Sequence, residues 1–80
     1  MKLTPKQLDK LREAFRLSPR EADVLALLLQ GVGSNAELAR RLGVSLPTAK
    51  LTLRFLYAKT GRATKHEVTI LCIDMLHPRF

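Results

Sequence analysis

Lys50 and Arg54 stand four residues apart, a spacing that puts both cationic groups on one face of a helix. An ammonium and a guanidinium so placed suit anions. Lysine acts as a point charge, and arginine as a fork that fits two phosphate oxygens or the O6/N7 edge of guanine. The pair belongs to a longer run. From Leu38 to His66 the chain carries seven basic residues (Arg40, Arg41, Lys50, Arg54, Lys59, Arg62 and Lys65) and no acidic one. The remaining residues balance, so this stretch holds the whole formal net charge of +7. Concentrated charge makes a local positive field, and nucleic acid is the polyanion such a field most often meets.

Other chemistries find little support. His66 and His77 share no metal-binding spacing with each other or with Cys72. Gly31-Val32-Gly33 lacks the Lys-Ser/Thr that completes a phosphate-binding loop. Ser18, Ser34 and Ser45 sit where helix caps belong, and Glu21, Glu37 and Glu67 are accounted for as capping residues. No enzyme, metal or cofactor is expected. Eighty residues make one small domain with 46% hydrophobic residues, enough to fold. No apolar run reaches the ~18 residues of a membrane span, and Met1-Lys-Leu-Thr-Pro5 has no signal-peptide core. The single cysteine, Cys72, forms no internal disulfide and lies in an apolar run, where a buried thiol is expected. Together these features point to a reducing cytoplasm and no membrane.

The elements that position the cations are marked by their own start signals. Four Ser or Thr residues are followed three positions later by Glu or Gln: Thr4 with Gln7, Ser18 with Glu21, Ser34 with Glu37, and Thr64 with Glu67. Each pair has the spacing of a reciprocal capping box. Pro5 and Pro19 follow the first two caps, where a missing N–H costs nothing. Ser45 caps a fifth helix, and Gly31, Gly43 and Gly61 supply stops. The spacing predicts helices at about 5–16, 19–30, 35–42, 46–60 and 65–76, with no strand: an all-α fold. The helix at 19–30 is apolar on a wide face and should lie centrally.

Between Asn35 and Lys59 the pattern is narrower. A short helix with Leu38, Ala39 and Leu42 inward ends at Gly43-Val44-Ser45. The long helix beyond it carries an inward stripe of Ala49, Leu53, Leu56 and Thr60. This is the layout of a helix-turn-helix, whose second helix enters the DNA major groove. The opposite side of that helix carries Leu46, Pro47, Lys50, Leu51, Arg54, Phe55 and Ala58.

The run Leu17-Ser-Pro-Arg-Glu-Ala-Asp-Val-Leu25, then Ser34-Asn-Ala-Glu-Leu-Ala-Arg-Arg-Leu-Gly-Val-Ser45, Thr48-Ala-Lys50 and Lys59-Thr-Gly61 resembles the LuxR/GerE-type DNA-binding domain. The resemblance covers about Leu17 to Leu76 and implies a four-helix unit at 17–76 within one helix-turn-helix domain at 1–80. Residues 1–16 are then an additional N-terminal helix. It further implies phosphate contacts from Ser34 and Asn35, a DNA-facing Thr48 and Lys50, and a backbone contact from Lys59. Glu21, Leu25, Leu38, Ala39, Leu42 and Val44 take structural roles. Four positions depart from the family pattern: Ala49 for valine, Thr52 for histidine, Thr60 for leucine, and one extra residue in Gly31-Val32-Gly33-Ser34. They bear more on base reading than on the fold.

The expected function is therefore a double-stranded DNA-binding transcription regulator, with Lys50 and Arg54 making direct contacts. Pro47 and Leu51 lie on the DNA face, and Ser34, Asn35, Arg40, Thr48 and Lys59 hold phosphates. About five contacted phosphates per subunit would set a slope of log affinity against log salt near −4 to −5. The last helix exceeds what closing the core requires, leaving Ile70, Ile73 and Leu76 for a homodimer contact, unless the first helix covers them. A rival is an interaction module whose Leu46/Pro47/Leu51/Phe55 strip grips a protein such as RNA polymerase or another transcription protein. A third is the output domain of a longer regulator.

Overall fold

Each helix begins where its sequence offers the first free backbone amides an acceptor. The computed structural model describes residues 2–77. Within them run α1 (Pro5–Phe15), α2 (Pro19–Leu29), α3 (Asn35–Leu42), α4 (Leu46–Thr60) and α5 (Lys65–Leu76), with no strand among the described residues. Thr4 and Ser18 complete both halves of the capping box. The Gln7 amide donates to Thr4 Oγ1 at 3.2 Å and the Thr4 amide to Gln7 Oε1 at 3.0 Å. The Ser18–Glu21 pair repeats this at 3.2 and 2.9 Å. The expected boxes of α3 and α5 are only half made. Ser34 and Thr64 accept the third amide of their helices. Glu37, however, turns to Arg40 and Arg41, and Glu67 accepts the Thr64 hydroxyl instead of the backbone.

One left-handed helix end among the described residues carries no glycine. Gly43 takes φ +68°, the left-handed conformation that lets the Val44 amide return to Ala39 O at 3.0 Å. Arg16 adopts the same conformation, φ 54°, at the end of α1, and the Leu17 amide returns to Arg12 O at 2.9 Å. A side chain held left-handed costs roughly 1–2 kcal/mol, part of which glycine gives back as backbone entropy. Arg16→Gly is accordingly expected to stabilise the fold by about 0.5–1 kcal/mol, seen as a higher urea midpoint at unchanged slope. A midpoint that falls would show that the Arg16 side chain contributes more than its strain costs.

The core draws on every helix. Leu11, Val24, Leu25, Leu38, Leu56, Val68 and Cys72 are fully buried, and α2 packs against all four other helices. The central place expected for α2 is found. Burial pushes the Cys72 thiol up to about 11, so it remains protonated and inert at neutral pH. The inward stripe of α4 is as expected, with Ala49, Leu53, Leu56 and Thr60 buried. Thr52 joins them and satisfies its hydroxyl by donating to Thr48 O at 2.9 Å, while Thr60 donates to Leu56 O at 2.9 Å. Polar residues thus enter a helical core face by returning their hydroxyls to the preceding turn. Small side chains sit on both partners of the helix-turn-helix, Ala39 on α3 and Ala49 on α4, and both are buried where these helices pack together.

Candidate nucleic-acid interface

Leu51 stands two positions from the buried Ala49 and Leu53 on either side, about half a turn each way, so Leu51 points out where they point in. The same geometry turns Leu46, Pro47, Lys50, Arg54, Phe55 and Ala58 outward, and all are exposed. The first helix does not hide this face. Its principal packing is against α2, and Lys10 reaches Met75 O on α5.

The outward face has two parts. On one flank Lys50, Leu53, Arg54 and Tyr57 of α4 meet Asn35 of α3 and Lys65 of α5 around an open hollow of about 300 Å³. No carboxylate lines it. Lys65 Nζ donates to Gly33 O at 2.6 Å, fastening the start of α5 to the loop that precedes α3. Two N–H groups of that ammonium remain for other acceptors. Lys50 and Arg54 make no hydrogen bond or ion pair within the described residues, so their charges are uncommitted. Asn35 Oδ1 is buried without a hydrogen-bond partner among the described residues, an uncommon arrangement in a folded protein. Burial raises the Tyr57 hydroxyl above its ordinary value of 10, keeping it a neutral donor.

Beside the cations runs the second part, an apolar strip of Leu46, Leu51 and Phe55. Leu51 is 48% exposed and Phe55 51%, unusual for residues of this size. Thr48, between strip and scaffold, accepts the Ser45 hydroxyl at 2.9 Å, and its own proton stays free to donate. Ser34 is occupied as an acceptor by the Glu37 amide at 3.0 Å and likewise retains a hydroxyl proton.

Several sequence expectations are revised here. The seven cations do not all gather on one side. Arg40 is held by Glu37 through two hydrogen bonds, one of them 2.9 Å from its Nε, and Arg41 donates to the same carboxylate at 3.1 Å. Those guanidinium hydrogen bonds, with their charges, lower the Glu37 carboxyl to about 2. Arg41 also lines a different hollow, against Asp23, Ala26 and Leu27 of α2. Lys59 is tied back to the fold: its ammonium donates to Glu21 Oε1 at 2.6 Å and to Arg16 O at 2.9 Å. Glu21 is 6% exposed, and burial alone would raise its carboxyl. The Lys59 hydrogen bond, the Ser18 amide and the Lys59 charge outweigh burial and bring it below the ordinary 4.5. A phosphate contact from Lys59 would have only its third N–H. Lys65 lines the hollow beside Lys50 and Arg54, whereas Lys59 and Arg40 do not.

On α5 the closing face is Val68 and Cys72, fully buried, with Met75 partly so. Ile70 and Ile73 project at 46% and 37% exposure. Leu76, expected beside them, packs against the core cluster. No helix among the described residues is long and apolar enough to cross a membrane. Comparison with family models, curated proteins and solved structures yielded no match.

Proposed function

We propose that the chain is a helix-turn-helix transcription regulator that binds double-stranded DNA with α4 in the major groove. The observation that carries this is the carboxylate-free hollow in which uncommitted Lys50 and Arg54 of α4 meet Lys65 of α5 and Asn35 of α3. Three cations from two helices, with an amide and a neutral phenol between them, form a cradle for the phosphates beside the groove. Ser34 and Thr48 add hydroxyl donors at the starts of α3 and α4, where helix dipoles also favour anions. The resemblance of residues 17–76 to LuxR/GerE-type domains supports the same orientation of α4. A second copy joined across Ile70 and Ile73 would double the footprint and fix the half-site spacing.

The cations that line the hollow are Lys50, Arg54 and Lys65, about three per subunit against the about five contacted phosphates expected from the sequence. The slope of log affinity against log salt is then about −3 per subunit. Titrating a labelled random-sequence duplex at several salt concentrations, with molecular mass measured alongside, tests this. A flat response removes the proposal. One observation favours a second reading: the half-exposed Leu51 and Phe55 suit a protein of the transcription machinery such as RNA polymerase. Co-purification with polymerase and no shift of any duplex would select that reading instead.

A further inference from the structure

The centre of the α4 outward face has no hydrogen-bonding code. Pro47, Leu51 and Ala58 lie opposite the buried Ala49 and Leu56, and Phe55 stands one turn beyond Leu51 on the same side. The cations lie to one flank, drawn into the hollow with Asn35 and Lys65. A helix that enters the major groove with this orientation presents Leu51 to the base edges, with Phe55 on one side of it and Arg54, turned into the hollow with Lys50, on the other.

Resting on the DNA-binding reading above, we propose that base recognition by this chain goes through thymine methyl groups, contacted by Leu51 and Phe55. Lys50, Arg54 and Lys65 are confined to phosphates. The C5 methyl of thymine is the one apolar group that a base pair shows in the major groove. A G·C pair presents no methyl to offset the donors and acceptors that leucine and phenylalanine would leave unpaired. Charge complementarity selects the same occupant. The strip is bordered by cations, α4 contains no acidic residue, and the groove sets its methyls between two rows of phosphate. The expected targets are duplexes rich in A·T pairs.

Replacing thymine by deoxyuridine removes the methyl and keeps every hydrogen-bonding group of the pair. Binding of the full chain is measured on a mixed-order A·T duplex, on its deoxyuridine counterpart, and on a G·C duplex with cytosine or 5-methylcytosine. The deoxyuridine duplex should bind more weakly by about fourfold for each methyl contacted. The 5-methylcytosine duplex should bind more tightly than its parent. Leu51→Gln should bring the thymine-to-deoxyuridine ratio towards one, which a change in duplex stiffness alone would not do. Equal affinity for the two A·T duplexes, with a steep salt slope, overturns the methyl inference and leaves DNA binding standing. Binding of an acidic amphipathic peptide, with no duplex bound at low salt, overturns both.

Discussion

Lys50→Glu combined with Arg54→Glu is expected to weaken duplex binding by at least about a hundredfold near 0.1 M salt. Each phosphate neutralised by a cation releases roughly 0.9 of a counterion, which at about 0.1 M salt corresponds to nearly tenfold in affinity. Removing both cations therefore weakens binding by about two orders of magnitude, and two carboxylates facing phosphate add repulsion. The salt slope should flatten from about −3 to about −1, because Lys65 remains. Stability should change little: both residues are exposed and neither is hydrogen-bonded or ion-paired within the described residues. Arg40→Ala is the informative contrast. Its guanidinium is already held by Glu37, so its loss should cost far less binding. If Arg40→Ala weakens binding as much as the double reversal, the hollow beside α4 is not where the duplex lies.

The contrast between these sites also shows what was legible from the residues. Helix starts depend on neighbours within one turn, so Thr4, Ser18, Ser34, Ser45 and Thr64 marked them correctly. The inward stripe Ala49, Leu53, Leu56 and Thr60 follows from periodicity alone. The Glu37 partnership of Arg40 and Arg41 escapes a charge window opened at Leu38, although that carboxylate reaches both arginines along the same helix. The three- and four-residue spacings were a sufficient signal. Arg16 gave none: its left-handed conformation without glycine accompanies the burial of the next residue, Leu17, in the core. Nor could spacing reveal that Lys65 would reach Gly33, or that Asn35 would bury its amide oxygen beside Lys50 and Arg54. Such pairings exist only once α3, α4 and α5 have been assembled on α2.

Lys59 is the clearest such case, and it carries the largest expected effect on stability. Its ammonium joins the end of α4 to the start of α2 and to the left-handed turn after α1, through Glu21 Oε1 and Arg16 O. Lys59→Met would keep the aliphatic stem and leave the nearly buried Glu21 carboxylate with only its Ser18 contacts. Losing a charge-assisted bond beside a buried carboxylate is expected to cost about 2–3 kcal/mol at neutral pH, moderated by the partial exposure of the lysine. In the wild type the Glu21 carboxyl lies below 4.5, so its stabilisation is present above that pH and is lost as the pH falls through the folded value. Lysine attracts only the ionised carboxyl, so the deficit of Lys59→Met should narrow as the pH drops below about 4.5. Urea unfolding of both proteins from neutral pH to about pH 3 measures this directly. A deficit that stays constant across that range would mean that Lys59 stabilises the fold by packing and by its bond to Arg16 O. A stable variant with a much flatter salt slope would return Lys59 to the DNA backbone.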